Sequence, residues 1–169
     1  ELVRCGADIV DVGGESTRPG ATPVPVEEEL ARVIPVVTGL VAAGVVVSID
    51  TMKPEVAATA IEAGAHVVND VSGFADPEMV SVCADAGVGL VVMHMQGKPA
   101  TMQDDPSYEN VVAEIGGFLE QRALHIQAAG VSRDRICIDP GIGFGKALQH
   151  NLALLAGIAD LAATGYPVL

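Results

Sequence analysis

The hexapeptide Val45-Val46-Val47-Ser48-Ile49-Asp50 is the most informative segment for the architecture of this chain. An almost continuous apolar run is typical of a strand in a parallel sheet. A carboxylate that closes such a run is costly unless it gains partners, so Asp50 marks a place where chemistry is expected. Similar runs recur, and we predict strands at 9–13, 45–50, 67–70, 89–94 and 136–139, with a sixth that begins near Pro167.

Segments with helical periodicity separate these strands. We predict that the first helix begins at Glu27-Glu28-Glu29, because the helix dipole favours acidic residues in the first turn. Four more helices are predicted at about 54–63, 77–86, 108–129 and 148–163, each ended by a glycine. The most irregular connection is 96–106. Strict alternation of strands and helices predicts an α/β fold with a parallel sheet.

Two parallel architectures fit this alternation. A doubly wound sheet of six strands would use the whole chain, whereas a (β/α)8 TIM barrel needs about 250 residues. This chain would then supply about five βα units and the start of a sixth strand. Nearly every strand delivers a polar residue at its carboxyl end, which favours the partial barrel, because a barrel brings all its strand ends to one axis. These residues are Glu15, Asp50, Asn69, His94 and Asp139.

The composition of the chain argues against several classes of function. The formal net charge of -13, with nine Lys and Arg, argues against binding to nucleic acid or to an anionic membrane. No apolar run reaches the length of about 18 residues that a membrane helix needs. The scattered Cys5, Cys83 and Cys137 are interpreted as buried, reduced thiols of a cytoplasmic protein. The missing initiator Met, with a strand beginning at the last residues, suggests a piece of a longer protein.

Asp50, Asn69 and Asp139 form the candidate pocket. Two carboxylates and an amide suit a flat, nitrogen-rich heterocycle, because a carboxylate can accept two adjacent N–H donors side by side. The alternative is that these residues cap the helices that follow them. One such residue would favour a cap, whereas three at equivalent positions favour the pocket.

Two glycine-rich loops accompany these strand ends. The first, 11–20, carries Arg18 where an anion could be held. The second, 139–146, fits neither a Walker A motif nor a dinucleotide fingerprint. Its Phe144 could stack on a ring or plug the barrel rim.

The four histidines give weaker evidence about function than the two glycine-rich loops do. His94 follows a strand between two methionines and is interpreted either as an acid–base group or, more commonly, as a hydrogen-bonded rim residue. It has no second ligand at metal-binding spacing, so we assign no metal ligand. His66, His125 and His150 are predicted to lie on the surface.

Five motifs in order along the chain resemble the dihydropteroate synthase family of pterin-binding enzymes, and the resemblance covers 1–169 as one domain. The motifs are DVGGESTRPGA (11–21), SIDT (48–51), VVNDVSG (67–73), VVMHMQG (91–97) and IDPGIGFGK (138–146). The resemblance implies a (β/α)8 barrel of folate biosynthesis. Its members join 6-hydroxymethyl-7,8-dihydropterin diphosphate to 4-aminobenzoate and release diphosphate, and sulfonamides mimic the aminobenzoate.

The resemblance also implies roles for individual residues. Arg18, Asp50 and Asp139 would be catalytic, and Thr17, Arg18 and Pro19 would close over the aminobenzoate and diphosphate end. The pterin would contact Asp50, Asn69, Val71, Met93, Asp139, Gly143 and Phe144. The family uses Mg²⁺, whose asparagine ligand would precede Glu1, and its usual homodimer forms through helices that would follow Leu169. Because the diphosphate and metal site implied by the resemblance would lie mostly outside residues 1–169, we expect this piece alone to be inactive.

Two rival functions share the pocket. One is the pterin-binding domain of a corrinoid-dependent methyltransferase, which needs no diphosphate-releasing loop. The other is a non-catalytic paralogue that binds pterin without turnover. The STRPG and FGK segments favour the synthase.

Overall fold

The computed structural model describes residues 1–99 and 101–169. Five strands in these residues form a single parallel sheet. Its strands are β1 (Ile9–Gly13), β2 (Val46–Asp50), β3 (Val67–Asp70), β4 (Gly89–Met93) and β5 (Ile136–Asp139). They pair in the order β1-β2-β3-β4-β5. A doubly wound sheet reverses its strand order at a switch point, whereas this order runs in one direction. The predicted α/β fold, with the strand order of a partial (β/α)8 barrel, is confirmed.

The last residues of the chain extend the sheet as predicted. Val168 forms a parallel bridge with Ile138. The Ile138 amide donates to the Pro167 carbonyl at 2.9 Å, and the Leu169 amide donates to the Ile138 carbonyl at 2.9 Å. In the predicted irregular loop 96–106, residue 100 lies outside the described residues.

Six helices connect the strands in the described part of the chain. They are α1 (Val26–Ala42), α2 (Pro54–Glu62), α3 (Pro77–Ala86), α4 (Val111–Ala128), α5 (Leu148–Ala156) and α6 (Ile158–Ala162). The start predicted for α4 near residue 108 is wrong. The Asn110 side chain caps this helix by accepting a hydrogen bond from the Ala113 amide at 3.1 Å.

The prediction of one helix over 148–163 is also wrong, because the chain leaves helical geometry at Gly157. Glycine is a poor helix former, and here it has a packing role. A Cβ at Gly157 would lie 2.9 Å from a methyl carbon of Val112. The absence of a Cβ at Gly157 therefore lets this segment approach α4 closely.

Helices cover one face of the sheet, and the other face is open. Along β1, buried and exposed residues alternate: Val10 is 8% exposed, whereas Ile9 is 54% exposed. The fully buried Val47, Ile49 and Val68 belong to the core cluster on the helix side. Within the described residues, the strands are therefore covered by helices on one face only. The open face holds the polar residues discussed below.

The three cysteines are free thiols. Cys83 is buried and Cys137 is half-buried, but Cys5 is exposed, which corrects the prediction of three buried thiols. Burial raises the pKa of the Cys83 thiol to about 12.

Two exposed glycines offer a test of the backbone geometry. A Cβ at either Gly39 or Gly44 would meet nothing within 4 Å, but only Gly44 is left-handed, at φ +75. Gly39 lies inside α1, so Gly39→Ala should increase the free energy of unfolding by about 0.5–1 kcal/mol. Gly44→Ala should decrease it by about 1 kcal/mol, because a Cβ disfavours left-handed geometry. Urea unfolding measures both, and equal shifts of the same sign would contradict the geometry.

Candidate active site

The strand register brings the polar residues of three neighbouring strands together on the open face. Asp50 pairs with Gly13 on one side and with Asn69 on the other. Asp11 pairs with Ser48, two residues earlier on the same face. Because alternate residues of a strand point to the same side, Asp11, Asp50 and Asn69 share the open surface. This surface lies at the carboxyl edge of the sheet, where parallel barrels hold their active sites.

The same surface continues across β4 and β5. Asn69 pairs with Val91, and two residues further along the sheet Met93 pairs with Asp139. Met93 is only 3% exposed, as is Val71 immediately after β3. The register thus brings Asp50, Asn69, Met93 and Asp139 to one edge, and Val71 follows directly after the end of β3.

The side chain of Asn69 gives the clearest indication that this surface binds a ligand. Its amide nitrogen donates to Asp11 Oδ2 at 3.1 Å. Within the described residues, Asn69 Oδ1 is buried and has no hydrogen-bond partner. An unpaired buried acceptor is costly, so it points to a ligand that donates a hydrogen bond there. Sequence reasoning missed Asp11, because the register that pairs Gly13 with Asp50 is needed to place Asp11 on the same face as Asp50.

The helix-capping alternative is wrong for all three pocket residues. The N-cap positions of α2, α3 and α5 are Lys53, Asp76 and Ala147. Asp139 instead accepts a hydrogen bond from the Gly141 amide at 2.7 Å, which fixes the first turn of the glycine-rich loop.

Burial and neighbouring carboxylates change the pKa values of the acidic residues on this surface. Burial raises the pKa of Asp50 to about 7, with further contributions from the charges of Asp11, Asp70 and Glu29. Burial also raises the pKa of Asp139, although the Gly141 amide and the Lys146 charge oppose this shift. Such a surface favours N–H donors and positive charge, which relieve repulsion between the acids.

The loop that follows β1 carries the predicted arginine. Arg18 and Pro19 are exposed, and Thr17 is half-buried. Within the described residues, the Arg18 side chain makes no hydrogen bond or ion pair. It lines a groove of about 580 Å³ together with Arg32 of α1. Thr17 and Asp50 border a common small cleft, which connects this loop to the acidic surface.

The second glycine-rich loop lies against the end of β4. Gly141, Gly143 and Gly145 all have positive φ, and a Cβ at Gly141 would lie 2.1 Å from the His94 carbonyl oxygen. Gly143 is exposed and Phe144 is half-buried.

His94 and Lys146 hold this loop. Lys146 is 3% exposed, and its ammonium group donates to the Phe144 carbonyl at 2.7 Å and to the His94 carbonyl at 3.2 Å. It also lies 3.2 Å from His94 Nδ1. Burial, and then the Lys146 charge, lower the pKa of His94 to about 4, so the ring is neutral near pH 7. The geometry favours the interpretation of His94 as a hydrogen-bonded rim residue.

The other three histidines differ in their exposure to solvent. His66 and His125 are exposed as predicted. The surface prediction for His150 is wrong, because it is 9% exposed. Its Nδ1 accepts a hydrogen bond from the Ala147 amide at 3.2 Å, and its ring packs edge-on against Tyr108 at 4.9 Å.

The chain matches the family model described as "Pterin binding enzyme" over residues 1–169. It is 49% identical to the dihydropteroate synthase of Mycobacterium leprae, in an alignment that covers 99% of this chain and 60% of that protein. The Xanthomonas albilineans dihydropteroate synthase with 4-aminobenzoic acid matches with a TM-score of 0.92 and 49% identity, over 99% of this chain and 59% of that one.

The Burkholderia cenocepacia dihydropteroate synthase complexed with 7,8-dihydropteroate matches with a TM-score of 0.88 and 51% identity, over 95% of this chain and 58% of that one. The chain therefore spans about 60% of the length of the curated relatives it matches. Among the described residues, no helix is long and apolar enough to cross a membrane.

Proposed function

Because the chain belongs to the pterin binding enzyme family, we propose that the full-length protein is a dihydropteroate synthase. It would join 6-hydroxymethyl-7,8-dihydropterin diphosphate to 4-aminobenzoate and release diphosphate, in folate biosynthesis. The observation that carries this proposal is the buried, unpartnered Asn69 Oδ1 beside Asp50 on the open face of the sheet. The relatives named above support the choice of substrates.

We assign the pterin ring to the acidic surface. A carboxylate can accept two adjacent N–H groups from a 2-amino-4-oxopyrimidine ring, and Asp50 or Asp139 supplies such an acceptor. Asn69 Oδ1 would accept a further N–H. Met93 and Val71 would contact the flat apolar face of the ring, and Gly143 and Phe144 would approach it from the loop after β5.

The same carboxylates would assist the reaction electrostatically. Departure of diphosphate leaves a cation delocalised over the pterin, and Asp50 and Asp139 would stabilise this charge where it develops. The aminobenzoate amine then attacks the exocyclic carbon, forms the new C–N bond and loses a proton. Arg18, with Thr17 and Pro19, would neutralise anionic charge and exclude water as the loop closes.

Magnesium stays a prediction for the full-length protein. Within residues 1–99 and 101–169, no three or more His, Cys, Asp and Glu side chains are grouped so that they could hold a metal ion. None of the steps above uses a metal ion. Loss of activity in EDTA that Mg²⁺ alone restores would support the prediction.

The direct test of the function is diphosphate release by the full-length protein. We expect release from the pterin diphosphate that requires 4-aminobenzoate and that a sulfonamide inhibits competitively. Pterin binding without release would support the non-catalytic paralogue instead. Binding of methyltetrahydrofolate in preference to the pterin diphosphate would favour the methyltransferase domain.

The pH dependence of pterin binding offers a second test. With a pKa of about 7 in the free protein, Asp50 loses its acceptor charge as the pH falls. The Kd for the pterin diphosphate should therefore rise by up to about tenfold for each pH unit below 7. Calorimetry from about pH 5 to pH 8 measures this slope, and Asp50→Asn should flatten it near pH 7. An equally steep slope in the variant would assign the titration to another group.

The family resemblance supports two further proposals, a cytoplasmic location and a homodimeric full-length protein. Cell fractionation and sedimentation velocity test them separately.

A further inference from the structure

The loop between β1 and α1 has a fixed stem and an exposed tip. At the stem, a Cβ on Gly14 would lie 2.8 Å from Cγ of Glu29 and 2.8 Å from a methyl carbon of Val33, so the backbone runs directly on α1. Arg32 donates to the Gly14 carbonyl at 2.8 Å. Glu15 Oε2 accepts from the Val24 amide at 3.0 Å, which joins the two ends of the loop. The tip between them, 16–23, is mostly exposed and contains Arg18.

Lys53 connects this stem to the strand that carries Asp50. Its ammonium group lies 2.5 Å from Glu15 Oε2 and also pairs with Glu29. Glu29 is 1% exposed, and its other oxygen accepts from the Thr51 hydroxyl at 2.7 Å. Thr51 directly follows Asp50 at the end of β2, so a continuous chain of contacts runs from the loop stem to the acidic surface.

A buried carboxylate such as Glu29 needs a charged partner, and Lys53 supplies it. The same ammonium group also holds the loop stem, through an oxygen of Glu15 that simultaneously closes the loop. We infer that Lys53 is a positioning residue, which fixes the stem so that only the tip moves and thereby sets the distance from Arg18 to the pterin pocket. This inference rests on the proposed function for the identity of the two substrates.

The experiment compares Lys53→Met, Lys53→Arg and Glu15→Gln in the full-length protein. Lys53→Met should raise the KM for 4-aminobenzoate by about tenfold, because the covering loop is no longer held. The Kd for the pterin diphosphate, measured without aminobenzoate, should stay within about twofold, because the ammonium group of Lys53 pairs with Glu15 and Glu29 and not with the residues assigned to the pterin. Lys53→Arg keeps the charge and should restore most of the KM.

Glu15→Gln makes the inference testable even if Lys53→Met folds poorly. It weakens the loop side of the contact and leaves the Lys53–Glu29 pair intact, so it should raise the KM for 4-aminobenzoate with little loss of thermal stability. The matched control is Lys98→Met, which removes an exposed lysine and should change neither constant. The inference is wrong if the folded variants keep the wild-type KM, or if both substrates weaken equally.

Hydrogen exchange separates this inference from the proposed function. The Val24 amide should exchange faster in Lys53→Met than in the wild type, while the Ala57 amide in α2 should not. This readout needs no activity, so it decides the anchoring even if the wild-type protein releases no diphosphate. An unchanged Val24 rate would overturn the inference.

Discussion

Replacement of Asp50 by asparagine should lower kcat/KM for the pterin diphosphate by about 10²–10³-fold, the usual effect of removing one preorganised electrostatic group. Asparagine has nearly the same shape, but it cannot accept two N–H groups side by side or stabilise a pterin cation. Steady-state kinetics of diphosphate release measure this loss.

The same substitution should leave the melting temperature at about pH 8 unchanged or higher. The folded protein raises the pKa of Asp50 from 3.8 to about 7, so it holds the proton more tightly than the unfolded chain does. Ionisation of Asp50 therefore costs stability as the pH rises above 3.8, and the neutral asparagine removes this cost. The control Asp85→Asn, at an exposed position on α3, should change neither quantity. A loss of stability that parallels the loss of activity would indicate a structural role for Asp50.

Replacement of Arg18 by alanine should lower kcat/KM for 4-aminobenzoate by about 10²-fold. Arg18 is exposed on the loop tip, and its side chain makes no hydrogen bond or ion pair within residues 1–99 and 101–169. The free energy of unfolding should therefore change by no more than about 0.5 kcal/mol. Kinetics with varied aminobenzoate, together with urea unfolding, measure the two effects.

Two controls define the role of Arg18. Arg18→Lys keeps the charge but loses the planar, bidentate geometry, so its activity should fall between those of the wild type and the alanine variant. Arg4→Ala removes another exposed arginine, near the start of the chain, and should leave kcat/KM unchanged. Equal losses of activity and stability in Arg18→Ala would contradict the loop-closure role.

Local patterns predicted most of the fold. The strand bounds at Ile9–Gly13, Val67–Asp70 and Ile136–Asp139 agree with the structure, because apolar runs that end in polar residues mark the strands of a parallel sheet clearly. The break at Gly157 was missed, since the packing of Gly157 against Val112, 45 positions earlier in the chain, is visible only in the structure. No local pattern contains that information.

The candidate site was predictable only in part, because some of its contacts also join residues that are far apart in the sequence. Asp50, Asn69 and Asp139 stand at strand ends, where a single sequence shows them directly. Asp11 lies inside a strand, and its role depends on the register that places its carboxylate against Asn69.

The Lys53 contacts join residues up to 38 positions apart, so the spacing within one segment could not reveal them. The alternation of exposure along β1 would have identified Asp11, but only once one face of the sheet was known to be open.

The most direct test of this account is calorimetric binding of the pterin diphosphate to the full-length wild-type protein and to Asn69→Leu. Leucine has the same branched skeleton as asparagine but no hydrogen-bonding groups, and it removes the unpartnered acceptor on which the site assignment depends. We predict that Kd rises by at least about tenfold while the melting temperature shows that the variant is folded. A folded Asn69→Leu variant with the wild-type Kd would show that the pterin does not bind on this face of the sheet.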